Sequence, residues 1–265
     1  MKKILTAVLI IFAINAFADL KENEILKRRA DQLKARKQYE RAITLYETIQ
    51  KNDPEDINNI RDLILILLQT SKIKKAEELL DEYENKMQED QYFQFKLMTL
   101  LHKAEIDEAR RLSNVFLEKQ RGRIQNYGTT AKIFEQFRQY EDAVKIYLKA
   151  RKIAGDDYLY AQELAYNYQA LKDSEKAVKE LIKLVENKNP LSSFVLSRLK
   201  LMLKEDPSIV SFIGKSKNED PAIRDIYALC LGEIGEYEEA LKEYEHLPAE
   251  NLLNFAQRME KSNRF

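Results

Sequence analysis

A single cysteine in 265 residues, Cys230, rules out an internal disulfide, so the fold must be held by its core. Its setting, Tyr227-Ala228-Leu229-Cys230-Leu231-Gly232, is that of a small buried apolar residue and not of a nucleophile or ligand. Only two histidines occur, His102 and His246, and neither has a recognisable Ser or Cys partner, so acid-base and nucleophilic catalysis have little to work with and no enzyme is expected. There is no phosphate-cradling glycine loop, no zinc-ligand spacing and no calcium loop, which leaves no cofactor and no metal to expect. Neither charge dominates: 44 basic residues balance 44 acidic ones, and the basic surface that nucleic acid demands is missing. Paired acids such as Glu77-Glu78, Asp156-Asp157 and Glu238-Glu239 read as solvated helix faces. With six glycines, five prolines and 45% apolar residues, the chain is ordered and can bury ample surface.

Long apolar runs are also scarce. The N-terminus is the exception in character: Lys2 and Lys3 precede an apolar Ile4 to Ile14, and Ala16-Phe17-Ala18 presents small residues before Asp19. This is the layout of a secretory signal peptide, residues 1–18, cleaved after Ala18. The run falls short of the roughly 20 residues that a membrane-spanning helix requires. No cysteine follows it, so lipid attachment there is excluded. Cleavage would leave about 247 residues with 42 basic and 44 acidic side chains, placing the protein in the periplasm or outside the cell. The short signal and the Lys, Ile and Asn bias point to a bacterium. A membrane is a partner only if this segment is retained.

What the chain has instead is a period. Ala42, Ala76, Ala109, Ala143, Ala177 and Ala240 follow one another at 34, 33, 34, 34 and 63 residues, and a fixed interval in this range is the signature of a repeat array. Three residues before each alanine stand Tyr39, Ile73, Ile106, Tyr140, Ser174 and Tyr237; four after stand Tyr46, Leu80, Ser113, Tyr147, Leu181 and Tyr244. These offsets put them on one helical face around the alanine. Nine residues upstream lie Leu33, Leu67, Leu100, Phe134, Tyr168 and Leu231, and twelve upstream Ala30, Ile64, Leu97, Ala131, Ala165 and Ala228. Each unit therefore holds two helices, each with a small contact residue that lets backbones approach.

This pattern resembles the tetratricopeptide repeat, over about four fifths of the chain. Lys96, Ser113, Ser174 and Arg224 depart from it, and Leu26, Ile60, Phe93, Tyr127 and Ala161 stand where the family prefers an aromatic in its first helix. The resemblance implies an all-α right-handed solenoid of helix-turn-helix units at about 20–54, 55–87, 88–122, 123–155 and 156–189, a degenerate unit at 190–219, another at 220–249, and a capping helix at 250–265. In the degenerate unit Ser211 stands where an alanine is due. Asp53-Pro54 and Asp220-Pro221 are expected to cap and start helices. Gly122 and Gly128 are expected to be flexible joints, Leu63 to Leu68 to be buried all round, and Gly214 to Glu219 to be a loop.

Stacked helix pairs present the exposed sides of their first helices as a concave groove. By resemblance, the groove residues are Asn58, Arg61, Gln91, Gln94, Gln125, Lys132, Gln162, Tyr166 and Gln169. Side-chain amides offer both donor and acceptor to the backbone of an extended peptide, so the expected partner is a protein or peptide. The lysine and asparagine clamp that some members use for a C-terminal carboxylate is absent, since Lys27 is followed by Asp31; chaperone tails are disfavoured. The leading reading is an exported scaffold. The alternative is a structural component of an envelope assembly, tethered through an uncleaved residues 1–18.

Overall fold

The computed structural model describes residues 21–186, 192–216 and 220–261. The expected signal peptide lies outside them, as do both ends of the expected degenerate unit. No strand occurs among the described residues. The chain divides into two compact units, Met1–Lys119 and Gln120–Phe265.

The first unit holds α1 (21–35), α2 (Tyr39–Asn52), α3 (Ile57–Gln69), α4 (Ile73–Glu82), α5 (Glu89–His102) and α6 (Ile106–Lys119). Consecutive helices pack from α2 to α6, and α3 also touches α5. That next-but-one contact is what stacked hairpins produce. At its start, the Tyr46 hydroxyl donates to Asp31 (2.6 Å) and Asn52 Nδ2 to Asn23 Oδ1 (2.9 Å), tying α2 back to α1. The second unit holds α7 (Ile124–Gln136), α8 (Tyr140–Ala154), α9 (Ala161–Ala170), α10 (Ser174–Glu186), α11 (Ser192–Glu205), α12 (Val210–Ser216), α13 (Pro221–Glu233), α14 (Tyr237–Tyr244) and α15 (Ala249–Lys261). Successive helices pack from α7 to α11 and from α12 to α15, with α11 against α13 and α15 against both α13 and α14. The architecture is an all-α solenoid of helical repeats.

The alanine beat is the cause of this stacking. Ala42, Ala76, Ala109, Ala143, Ala177 and Ala240 are all at 0% exposure. The small or apolar set in the first helices, Ala30, Ile64, Leu97, Ala131, Ala165 and Ala228, is buried with them. The residues three before each alanine prove to be the first residues of α2, α4, α6, α8, α10 and α14.

One turn joins the two helices six times over. Lys37, Ser71, Ala104, Arg138, Lys172 and Gly235, each five residues before its alanine, have positive φ between 58° and 88°. The next residue donates its N–H back to the carbonyl of Leu33, Leu67, Leu100, Phe134, Tyr168 or Leu231, at 2.8–3.0 Å. That bond ends the first helix in the six-to-one manner of a left-handed cap. The same residue's carbonyl accepts the N–H of the alanine at 3.0–3.2 Å, which opens the second helix. Five of the six left-handed positions carry an ordinary side chain.

Four local expectations are corrected. Gly128 is no joint but lies inside α7, where a Cβ would come within 2.5 Å of the Tyr160 hydroxyl; close approach, not flexibility, selects it. Gly214 to Ser216 continue α12, with Gly214 under the Tyr227 ring. Ser211 does not take the alanine's place: it is exposed, and the short α12 buries Ile213 instead. Asp53-Pro54 form a turn, and it is Asp56 that caps α3 by accepting the Asn59 N–H (3.0 Å); Asp220-Pro221 does open α13. Of the Leu63 to Leu68 run only Leu65 reaches solvent.

In the second unit a charge pair is sealed inside the stack. Arg151 of α8 and Glu180 of α10 are each 6% exposed. The guanidinium donates twice to the Glu180 carboxylate (2.9 and 2.8 Å) and twice to the Leu159 carbonyl (3.0 and 2.9 Å). Removing one member leaves the other charged and dry, so Glu180→Ala is expected to cost about 3–5 kcal/mol, while Arg151→Met with Glu180→Leu recovers most of it. At the turns, Ala104→Gly is expected to stabilise by about 0.5 kcal/mol and Gly235→Ala to destabilise by about 1 kcal/mol. Urea midpoints of the four proteins check both statements.

Candidate functional site in the second unit

The nine groove residues divide between the two units. In the first, Asn58 is exposed on α3 and accepts from Arg61 Nη1 (3.3 Å). The Arg61 Nε is buried without a partner. Gln91 and Gln94 are half-buried on α5. No described cavity lines up these four.

In the second unit the arrangement is tighter. Lys132 of α7 and Gln162, Tyr166 and Gln169 of α9 line one cleft of about 280 Å³. Offsets of four and three on α9 put its residues along one face. Gln125, one turn or more up α7, is exposed and does not reach the cleft. The structure adds Glu135 from α7, Glu163 from α9, Leu181 from α10, and Phe194 and Arg198 from α11. Three first helices, α7, α9 and α11, thus form the walls.

Glu135 is the fixed point of the α7 wall. It is 8% exposed, yet its carboxylate accepts from Lys132 Nζ (2.5 Å) and from Asn167 Nδ2 (3.0 Å), and the buried Tyr147 hydroxyl bonds to it as well. Three donors compensate its desolvation. The hydrogen bond to Glu135 holds the Lys132 ammonium's pKa above its usual value. Burial first, and then the Glu135 charge, push the Tyr147 hydroxyl well above the ordinary tyrosine range. Asn167 also donates to the Glu163 carbonyl (2.7 Å), which locks it across the seam between α7 and α9.

The middle and far walls are set differently. Tyr166, 46% exposed, stands edge-on to Tyr140 with ring centroids 6.3 Å apart. Beneath it Tyr160 packs on Tyr147 at 4.9 Å and donates to the Ile124 carbonyl (3.2 Å). On α11, Arg198 Nη2 donates to Gln169 Oε1 (2.5 Å), so the amide that was expected to meet a ligand is oriented by a neighbouring guanidinium.

Arg198 and Phe194 were out of reach of the period, because the alanine register is lost in their hairpin and no offset projects onto α11. Glu135 could have been found: it lies eight residues before Ala143, next to Phe134 of the nine-before set, where a lone acid follows the buried run Ile133-Phe134. The remaining chemical groups stand apart from the cleft. His102 ends α5, its pKa lowered by burial. His246 is exposed in the second unit. The Cys230 thiol is buried in α13, its pKa pushed up to about 12 by desolvation and then by Glu233. Among the described residues no group of three or more His, Cys, Asp or Glu could hold a metal ion. No described helix is long and apolar enough to cross a membrane.

With this geometry in view, residues 33–101 match the family model of the tetratricopeptide repeat, about a quarter of the chain. Solved structures of similar shape include a tetratricopeptide repeat protein from Parabacteroides merdae, 11% identical, with 85% of this chain and 92% of that one covered and a TM-score of 0.46. The C-terminal part of a TPR repeat-containing protein from Cytophaga hutchinsonii is 17% identical, with 86% and 88% covered and a TM-score of 0.46. The MamA protein is 15% identical, with 65% and 94% covered and a TM-score of 0.42. Likenesses this distant carry no functional argument. No curated protein matches the chain in sequence.

Removing the Glu135 side chain strips Tyr147 of its acceptor and leaves Asn167 only the Glu163 carbonyl. Glu135→Ala is expected to destabilise the second unit by about 1–3 kcal/mol, and Glu135→Gln, which keeps one acceptor oxygen, by less. Denaturant midpoints followed by tyrosine fluorescence report the difference.

Proposed function

We propose that this protein is a docking scaffold that holds an extended segment of a protein partner in the cleft of α7, α9 and α11, and that it does so in a bacterial periplasm after loss of residues 1–18. A tetratricopeptide array is an interaction scaffold for protein partners, and the cleft is where this chain concentrates the means. The observation that carries the reading is the convergence of Lys132, Gln162, Tyr166 and Gln169 on one 280 Å³ space walled by three first helices. An exposed tyrosine supplies rigid apolar area at low entropic cost, and the amides supply paired donor and acceptor for a peptide backbone. The periplasmic part rests on the basic start, short apolar core and Ala16-Phe17-Ala18 of the N-terminus.

The alternative, an envelope component tethered by an uncleaved N-terminus, is decided by N-terminal sequencing of the protein from the native cell. A mature chain beginning at Asp19 is the expected result, and one retaining Met1 to Ala18 supports tethering. Docking is tested with photo-crosslinkers introduced in cells at Gln162 and Tyr166, against controls at Lys145 and Lys179, which are exposed on the second helices α8 and α10. The expected outcome is one discrete adduct from the cleft positions, lost on Arg198→Ala. Indiscriminate adducts from all four positions would sink the cleft as the docking site.

A further inference from the structure

Two opposite charges remain on the cleft walls after its internal pairs are made. Lys132 and Glu135 are satisfied by each other. Glu163 on α9 closes no ion pair with any described residue, although its charge is felt by Lys132, Tyr147 and Tyr160. Arg198 on α11 closes none either, its one bond going to the neutral amide of Gln169. Both line the same space, yet they are not joined to one another.

Building on the peptide-docking reading, we propose that the occupant of this cleft is an extended peptide segment with a basic side chain placed against Glu163 and an acidic side chain placed against Arg198. Glu163 acts toward the α7 side, since the groups that sense it are on α7, on α8 and in the turn before α9. Arg198 acts from α11, on the other side of α9. A uniformly acidic segment would meet Glu135 and Glu163, and a uniformly basic one Lys132 and Arg198, so either is repelled at one wall. A segment with one charge of each sign meets an opposite charge at both. The guanidinium keeps enough free N–H groups beyond its bond to Gln169 to take a carboxylate in bidentate fashion. Tyr166, between the two, offers a face for the aliphatic stem of the basic side chain.

The spacing follows. Packed helix axes lie about 10 Å apart. An extended chain advances about 3.3 Å per residue with alternate side chains on one face. The two charged side chains therefore stand two or four positions apart in the segment, and their order fixes its direction across the cleft.

A phage-displayed library of random heptapeptides, panned on the full chain, tests this. Sequences that carry Lys or Arg two or four positions from Asp or Glu are the expected enrichment. A synthetic peptide of that kind is expected to bind about tenfold more weakly to Glu163→Gln and to Arg198→Gln. Neutralising the basic residue of the peptide should cost nothing further on Glu163→Gln, and neutralising the acidic one nothing further on Arg198→Gln. Both variants change half-buried polar side chains, and unchanged circular dichroism and urea midpoints confirm that the fold is kept. Enriched peptides that are neutral or of one sign, weakened by Tyr166→Ala but by neither charge variant, overturn the charge assignment and leave the docking reading standing. If no enriched peptide is weakened by Tyr166→Ala, both fail together.

Discussion

Everything in this molecule depends on how closely two helix backbones can approach at an alanine. A methyl group is the largest side chain that fits at Ala42, Ala76, Ala109, Ala143, Ala177 and Ala240, each wholly buried. Interiors packed to crystal-like density do not absorb added methylenes, so the position sets the distance and crossing of each hairpin. The turn sets its orientation. A left-handed residue five places before the alanine, with its neighbour closing one helix and opening the next, leaves the hairpin little freedom. Distance and orientation together make each hairpin a near copy of the last, and copies stack.

Stacking decides what faces outward. Once the second helices supply the alanine contacts, the first helices must carry any surface presented to a partner. In the second unit that surface is neither apolar nor strongly charged. Lys132, Glu135, Asn167 and Tyr147 form a polar network centred on the Glu135 carboxylate, whose three donors offset its burial, although the Asn167 Oδ1 is left without a partner. It behaves as a rigid wall. Tyr166, Glu163 and Arg198 stand in front of it with capacity to spare, which separates the residues that build the cleft from those free to meet a ligand.

The fold was legible in the sequence because it repeats. One alanine is uninformative, but six in register with mostly apolar residues three before, four after and nine before it define both helices of each unit. The offsets put Tyr39, Ile73, Ile106, Tyr140, Ser174 and Tyr237 on the second helices, and the structure makes each the first residue of its helix. The left-handed turn was harder to see, because only Gly235 among its six positions announces it; Lys37, Ser71, Ala104, Arg138 and Lys172 adopt the same φ under the pull of the packing. Glycines misled in the other direction. Gly128 and Gly214 read as loop markers and instead make room for the rings of Tyr160 and Tyr227. Contact across the fold, which no local rule contains, selected them. The same holds for the cleft: Lys132, Gln162, Tyr166 and Gln169 were named through the family resemblance, while Arg198 and Phe194 sit in a hairpin that has dropped the alanine.

That irregular hairpin has a physical consequence. A regular repeat would place a second helix opposite α11 through a small contact residue; here α12 is seven residues long and buries Ile213, with Ser211 turned to solvent. Freed from the common register, α11 presents Phe194 and Arg198 to the side of α9, where the guanidinium engages Gln169. The break in the pattern is therefore what closes the third wall. Its net charge matters in the same way. Two cations and two anions line the walls, so the cleft has no strong field to draw a charged ligand from a distance, and discrimination must come from short-range pairing once the ligand is seated. A site of that kind selects on the placement of charge in its ligand and not on the total, which is the physical reason for expecting a mixed-charge segment at α9 and α11.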